Sequence, residues 1–174
     1  MFKSFIPFAH ATCIFEINPE FFKKHGVKVL FMDLDNTLDS YKARKPSNPR
    51  IGEYVEKLKA VGITPVIISN NKPRRVKPYA DALGIECLAS ALKPFAGKIL
   101  KEIAARGLSK EDVMLVGDQM MTDVIAAHRA KIRVVLTEKI VKEDQWTTHI
   151  NRIFDRPIRK YHKKKGNLID WREK

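Results

Sequence analysis

A short apolar run that ends in two closely spaced acids constrains this chain more than any other feature. The run Val27–Met32 is rich in β-branched and aromatic residues and has the length of a buried strand. Asp33 and Asp35 follow it, and because side chains alternate along an extended chain, both carboxylates point to the same side. Such a pair favours a bound cation, a shared proton or a catalytic role. The alternative is a helix N-cap followed by a first-turn acid.

Polar side chains also follow the other apolar runs, or stand where a helix begins. These residues are Ser69 and Asn70 after the run 63–68, Lys93 before Pro94, and Asp118 and Asp123 after the run 113–116. In an open α/β sheet, the loops at the carboxyl ends of the strands meet in one crevice. We therefore expect acids, a hydroxyl and an ammonium group at one place, as phosphoryl transfer with a divalent cation requires.

Helix signals alternate with the apolar runs along the chain. Asn-Pro pairs at 18–19 and 48–49 place a cap and a proline at helix starts. The sequence predicts strands over 27–32, 63–68, 85–89, 113–116 and 132–136, and helices over 19–26, 49–61, 72–83, 94–106 and 122–130. This alternation predicts an α/β fold, a Rossmann-like parallel sheet with helices on both faces.

Length and charge suggest one domain with a basic end. The 174 residues are enough for one sizeable core. We predict a folded domain over 1–150, which includes an apolar N-terminal segment, and a basic tail over 151–174. In that tail nine Lys or Arg residues stand against three acids. Such a tail is either a disordered, solubilising end or an anion-binding surface.

The remaining positive charge is concentrated after two predicted strands. The net charge is +13, and the two clusters are Lys42, Arg44 and Lys45, and Lys72, Arg74, Arg75 and Lys77. Both clusters should border the crevice, where they would attract anionic substrates. We expect neither a membrane-spanning segment nor a signal peptide, and Cys13 and Cys87 fit no disulfide framework. The sequence therefore predicts a cytoplasmic protein.

The motifs resemble those of the haloacid dehalogenase (HAD) superfamily of phosphotransferases. Its four motifs occur in order: DxDx[TV] at Asp33, Asp35 and Thr37, a strand-ending Ser at Ser69, a Lys at Lys93, and GDxxxxD at Gly117, Asp118 and Asp123. Lys72 and Lys98 are alternatives for the Lys. The segment 31–38, and residues 69–71 at the end of the second apolar run, resemble the YqeG-like group of subfamily IIIA. That group is related to the mitochondrial phosphatidylglycerophosphate phosphatases.

This resemblance implies a Mg²⁺-dependent phosphomonoester hydrolase that acts through an aspartyl-phosphate. Asp33 would be the nucleophile, and Asp35, oriented by Thr37, the general acid and base. The implied site residues are Asp33, Asp35 and Lys93 for catalysis, Ser69, Asn70 and Lys93 for phosphate, and Asp33, Asp118 and the main-chain carbonyl of Asp35 for Mg²⁺, with Asp123 behind them and paired with Lys93.

The short intervals between motifs leave no room for a cap domain. An open crevice suits a phosphate on a large carrier, and we favour phosphatidylglycerophosphate at the inner face of the cytoplasmic membrane. The apolar residues Phe2, Phe5, Ile6 and Phe8 and the basic clusters would contact anionic lipid there. The alternative for the apolar segment is packing on the sheet.

Three other functions share some of these sequence features. A phosphatase of soluble sugar phosphates, nucleotides or phosphoproteins fits the same motifs. A basic nucleic-acid or ribosome-associated factor is a different class, but no RNA-binding motif with interleaved aromatic residues is visible. A receiver domain is disfavoured, because one strand end carries the whole DxDxT motif.

Overall fold

One parallel sheet organises the protein. The structure, a computed structural model, describes residues 5–140 and 146–174, and the side chains of all of these except 146–154. Within those residues, six strands form a sheet in the order β1-β6-β5-β2-β3-β4. The strands are β1 (Ala9–Ala11), β2 (Val29–Asp33), β3 (Thr64–Ile68), β4 (Glu86–Leu88), β5 (Val113–Gly117) and β6 (Arg133–Thr137). The predicted α/β fold is confirmed.

Helices connect the strands and cover both faces of the sheet. They are α1 (Pro19–Lys24), α2 (Pro49–Ala60), α3 (Pro73–Ala82), α4 (Gly97–Ala105), α5 (Ile125–Ala130) and α6 (Trp146–Lys164), and a π-helical turn, Met120–Val124, leads into α5. The side chains of Asn18 and Asn48 accept hydrogen bonds from the first turns of α1 and α2, as their Asn-Pro pairs predict. The helix predicted to begin at Pro94 begins at Gly97 instead, after a turn in which Phe95 N–H donates to the Leu92 carbonyl.

Strand β2 lies at the centre of the sheet and is buried on both sides. It pairs with β3 on one side and β5 on the other. Leu30 and Met32 pack in a core cluster with α1, α2 and α3, whereas Val29 and Phe31 pack in a second cluster with α4 and α5. Burial on both faces explains why this strand is a continuous apolar run rather than an alternating one.

The described part of the N-terminal segment packs on the sheet. Its short strand β1 pairs with β6, and Phe5 and Phe8 pack against the two core clusters. Phe5 and Phe8 are therefore partly buried within the protein. Membrane contact through this segment stays a prediction, and Phe2 lies outside the described residues. Strand β1 was missed because the sequence Ala-His-Ala at 9–11 has no β-branched or aromatic residue.

The basic C-terminal segment is folded where it is described. The predicted boundary between 150 and 151 falls inside α6, and the segment ends in a short 3₁₀ turn, Trp171–Glu173. His10 N–H donates to the Ile169 carbonyl at 2.7 Å, which joins this end to β1. Trp171 contacts Phe21 edge to face, with ring centroids 5.7 Å apart. These contacts differ from the disordered end that the charge pattern allowed.

The intervals around the crevice hold no inserted folded unit. Between β2 and β3 the chain forms α2 alone as a helix, and between β3 and Lys93 it forms α3 and β4. The predicted absence of a cap domain agrees with this arrangement. No helix in residues 5–140 and 146–174 is long and apolar enough to cross a membrane.

Removing one buried hydroxyl tests how the N-terminal segment is attached. Tyr54 on α2 donates a hydrogen bond to the Ile17 carbonyl at 3.0 Å, and burial raises the pKa of Tyr54, which keeps it a donor. Tyr54→Phe should lower the free energy of unfolding in urea by about 1–2 kcal/mol, because the carbonyl loses this donor. A loss below about 0.5 kcal/mol, the size of an ordinary surface change, would contradict this assignment.

Candidate active site

A tight turn after β2 places two acids at the centre of the sheet edge. Asp33 is the last residue of β2, and the turn closes when Asn36 N–H donates to the Asp39 carbonyl at 2.6 Å. Asn36 has φ 68°, a left-handed conformation that Asn adopts more readily than most residues. As a result Asp33 is buried and Asp35 is partly exposed at the same strand end.

A buried ammonium group joins the first and fourth motifs. Lys93 Nζ donates to Asp33 Oδ1 and to Asp123 Oδ1, both at 2.6 Å, and lies 3.4 Å from the Ile68 carbonyl. All three charged side chains are nine-tenths buried or more. Lys93, rather than Lys72 or Lys98, is thus the lysine that reaches the acids.

The main chain of Lys93 is clamped by the residue after Ser69. The Asn70 side chain accepts from Lys93 N–H and donates to the Lys93 carbonyl, both at 2.7 Å. Ser90 and Leu92, which precede Lys93 in the chain, have positive φ angles of 50° and 61°. Such a backbone conformation is rare for residues other than glycine. The Asn70 side chain therefore positions Lys93. Binding of phosphate by the main-chain N–H of Asn70 stays a prediction.

The acids after β5 complete a cluster of three carboxylates. Asp33, Asp118 and Asp123 each offer one oxygen, and these oxygens lie within 4.8 Å of one another. Asp123 Oδ2 also accepts from Gln119 N–H at 3.0 Å, which fixes its direction. A Cβ on Gly117 would lie 2.3 Å from the Asp123 Cγ, so only glycine fits there. Asp123 belongs to this cluster and is paired with Lys93. Its expected place behind the metal ligands stays a prediction.

A different set of donors holds Asp35. Its Oδ2 accepts from Asn71 Nδ2 at 2.6 Å and lies 3.4 Å from Ser69 Oγ, and its Oδ1 accepts from Arg75 Nη2 at 3.1 Å. Sequence reasoning expected Thr37 to orient Asp35. The Thr37 hydroxyl is buried and makes no hydrogen bond with any described residue, so the amide and the guanidinium perform that role.

Burial and the neighbouring charges together shift the pKa values of Asp33 and Lys93. Burial raises the pKa of Asp33. The Lys93 ammonium lowers this pKa, but the negative charges of Asp123 and Asp35 raise it further, so that it stays above its ordinary value. Burial alone would lower the pKa of Lys93, but Asp123 and Asp33 together raise that pKa above its ordinary value. Lys93 therefore stays an ammonium ion. A divalent cation would favour the ionised form of Asp33.

Helix α6 braces the loop that carries Asp118, which the sequence did not reveal. Asp155 Oδ1 accepts from Met120 N–H at 2.6 Å and Met121 N–H at 3.3 Å. Arg159 donates to the Asp118 carbonyl at 2.5 Å. An Asp and an Arg four residues apart on a helix are usually only a surface pair, so nothing in the sequence distinguished them.

The fold and these contacts agree with comparisons to known proteins. The haloacid dehalogenase-like hydrolase family matches residues 14–131. The chain belongs to this family. A Bacillus subtilis protein named "Probable phosphatase YqeG" is 37% identical over 171 residues, which is 98% of each chain. The predicted HAD-type enzyme, a phosphatase of the hydrolase class with a YqeG-like sequence, is therefore confirmed.

Two further comparisons cover less of the chain or are more distant. A phosphoglycolate phosphatase of Haemophilus influenzae is 32% identical over 96 residues, which is 50% of this chain and 42% of that protein. The crystal structure of 3-deoxy-D-manno-octulosonate 8-phosphate phosphatase from Yersinia pestis is similar with a TM-score of 0.53 at 16% identity. The similar region covers 70% of this chain and 78% of that one. At this identity the likeness shows the fold.

Two glycine substitutions test the close approach in the carboxylate cluster. Gly117→Ala should lower the free energy of unfolding by about 1–3 kcal/mol, and it should abolish catalysis, because Asp123 must move away from Lys93. The matched control is Gly52→Ala within α2, where nothing lies within 4 Å of the new Cβ. The control should gain about 0.5–1 kcal/mol and keep its activity. Urea unfolding and a phosphatase assay measure both, and equal behaviour of the two variants would contradict the packing argument.

Proposed function

We propose that this protein is a Mg²⁺-dependent phosphomonoester hydrolase that acts through an aspartyl-phosphate on Asp33. The observation that carries the proposal is the pair of acids at the end of β2 with separate partners. Asp33 is buried against Lys93, whereas Asp35 is held by Asn71 and Arg75 and is partly exposed. Two carboxyl groups in different environments can take different catalytic roles.

In the first half of the reaction, Asp33 attacks the phosphorus and the ester oxygen leaves. Asp35 donates a proton to that oxygen, so the alcohol departs in neutral form. The hydrogen bond from Lys93 keeps the Asp33 carboxylate in place. In the second half, Asp35 accepts a proton from water, whose oxygen attacks the phosphorus and releases Asp33.

The groups that would hold the phosphate surround these acids. The Lys93 ammonium supplies positive charge, and the Ser69 hydroxyl, which accepts from Asn71 N–H at 3.1 Å, lies beside Asp35. Fixed donors of this kind stabilise the charge that develops on the phosphoryl oxygens. Main-chain N–H groups at Asn70 would add to this set.

The acid cluster fits the metal that the family implies. Asp33, Asp118 and Asp123 are buried, and their oxygens lie within 4.8 Å of one another. Mg²⁺ prefers such oxygen ligands and keeps several waters. Asp33 and Asp118 would hold it, with the main-chain carbonyl of Asp35 as the predicted third ligand. When bound, Mg²⁺ offsets the repulsion between the carboxylate and the phosphate.

Loss of one carboxylate tests the proposed mechanism. Asp33→Asn should lower the turnover of p-nitrophenyl phosphate at least about 1,000-fold, because the amide is no nucleophile. The control Asp81→Asn, at an exposed position of α3, should keep wild-type turnover. EDTA should stop wild-type turnover and Mg²⁺ should restore it. Turnover that survives Asp33→Asn would refute the nucleophile, and turnover that survives EDTA would refute the metal.

We propose phosphatidylglycerophosphate, presented at an anionic membrane surface, as the physiological substrate. Three points support this choice: the resemblance to the YqeG-like group, to which lipid phosphatases are related, the crevice without a cap, and two exposed apolar side chains beside Lys93. Leu92 is 58% exposed and Phe95 is 66% exposed. Apolar side chains beside basic residues favour peripheral contact with anionic lipid.

Assays with vesicles distinguish a lipid substrate from the soluble alternatives. The protein should sediment with vesicles that contain phosphatidylglycerophosphate at low salt and release phosphate from them. The Asp33→Asn variant should sediment equally but release none. Absence of both effects, together with rapid hydrolysis of sugar phosphates or nucleotides, would replace the lipid with a soluble substrate. Binding of RNA that is independent of Asp33, without any hydrolysis, would favour the nucleic-acid alternative.

A further inference from the structure

A basic cavity adjoins the candidate active site. It has a volume of about 510 Å³ and lies between the turn after β2 and the start of α3. Five cationic side chains line it: Lys42, Arg44, Lys72, Arg74 and Arg75. This size is within the range of small-molecule sites. Arg75 holds Asp35, whereas the other four cations have no part in the proposed chemistry at Asp33 or in the packing of the core.

Positive charge predominates in the wall of the cavity. No Asp or Glu occurs in residues 40–52 or 65–80, the two segments that supply the wall. Among the described residues, Arg44, Lys72 and Arg74 form no ion pair with a carboxylate. Scattered surface cations usually serve solubility, but cations that share one concave wall raise the local concentration of an anion.

The cavity and Asp35 share two residues. Asn71 and Arg75 line the cavity, and the same side chains donate to the two oxygens of Asp35 at 2.6 and 3.1 Å. Because Asp35 protonates the departing oxygen in the proposed mechanism, the alcohol part of the substrate must lie on the Asp35 side. The cavity therefore lies on the side of Asp35 that the alcohol part would face.

Arg75 gives an independent indication of an anionic ligand. It is only 8% exposed, yet its Nε and Nη1 donors make no hydrogen bond with any described residue. Buried donors without acceptors are costly, and an incoming anion would supply acceptors. The α3 helix begins beside it at Pro73, with no side-chain cap from Lys72, so the helix dipole adds positive potential to the same wall.

We infer that this cavity binds a second anionic group on the alcohol part of the substrate, a phosphate or phosphodiester a few bonds from the reacting phosphate. The inference rests on the proposed phosphatase function and narrows its substrate class. The second group takes no part in bond making or breaking: water and the monoester become the alcohol and inorganic phosphate. A lipid headgroup and a soluble bisphosphate share this chemistry.

A matched pair of substrates tests the cavity. Propane-1,3-diol bisphosphate and propyl phosphate differ only by the second phosphate. The wild-type enzyme should hydrolyse the bisphosphate with a kcat/KM at least about ten-fold higher at low salt, since one good charged contact is worth about that factor. The double variant Lys72→Ala/Arg74→Ala should lose most of this preference for the bisphosphate. The control Lys57→Ala/Lys101→Ala removes equal charge from exposed positions on α2 and α4 and should keep it.

The possible results separate the inference from the function on which it rests. A wild-type ratio near one, or a ratio unchanged in the cavity variant, overturns the inference while phosphatase activity stands. If no phosphate ester is hydrolysed, the proposed function fails, and calorimetric binding of the bisphosphate decides the cavity: binding that the cavity variant loses supports the site, and absence of binding overturns it. A higher kcat/KM for vesicular phosphatidylglycerophosphate than for the bisphosphate identifies a lipid source, and the reverse identifies a soluble one.

Discussion

The buried ammonium group of Lys93 between Asp33 and Asp123 is the interaction on which the rest of the site depends. Charges that leave water must be paired, and removal of one partner from a buried pair costs about 3–5 kcal/mol. The surrounding residues maintain the pairing: Asn70 clamps the Lys93 main chain, and Gly117 leaves space for Asp123. The proposed nucleophile, the proposed phosphate-binding lysine and the acids that would hold the metal are thus one electrostatic unit rather than separate features.

The two acids after β2 show how one strand end can support two chemical roles. Asp33 lies among buried charges, whereas Asp35 lies at the boundary with solvent, where water and a leaving group can reach it. Two residues that hold Asp35, Asn71 and Arg75, also form part of the wall of the basic cavity. In the proposed mechanism these two residues would couple proton transfer to recognition of the alcohol part. Because no cap domain encloses a substrate, the residues at the open edge of the crevice must recognise it.

Sequence reasoning identified the fold and the central acids because strand ends can be read from local patterns. Asp33, Asp118 and Lys93 each follow an apolar run or a turn, and a parallel sheet brings such positions together. It missed Asp155 and Arg159, since their contacts depend on where α6 packs and not on the residues near them. The role of Arg75 was hidden for a similar reason: a cluster of cations does not show which one turns inward. The start of α4 was misplaced because Pro94 is as common in turns as at helix starts.

The central claim is that Asp33 carries the phosphoryl group during turnover. It is tested most directly by an acid quench of the enzyme with substrate, reduction of the acyl phosphate with borohydride, and mass spectrometry of the tryptic peptide 29–42. If Asp33 carries the phosphoryl group, borohydride reduces the side chain at residue 33 to that of homoserine, and this product depends on both substrate and Mg²⁺. Modification at Asp35, or an unmodified peptide from enzyme that is turning over, would contradict it.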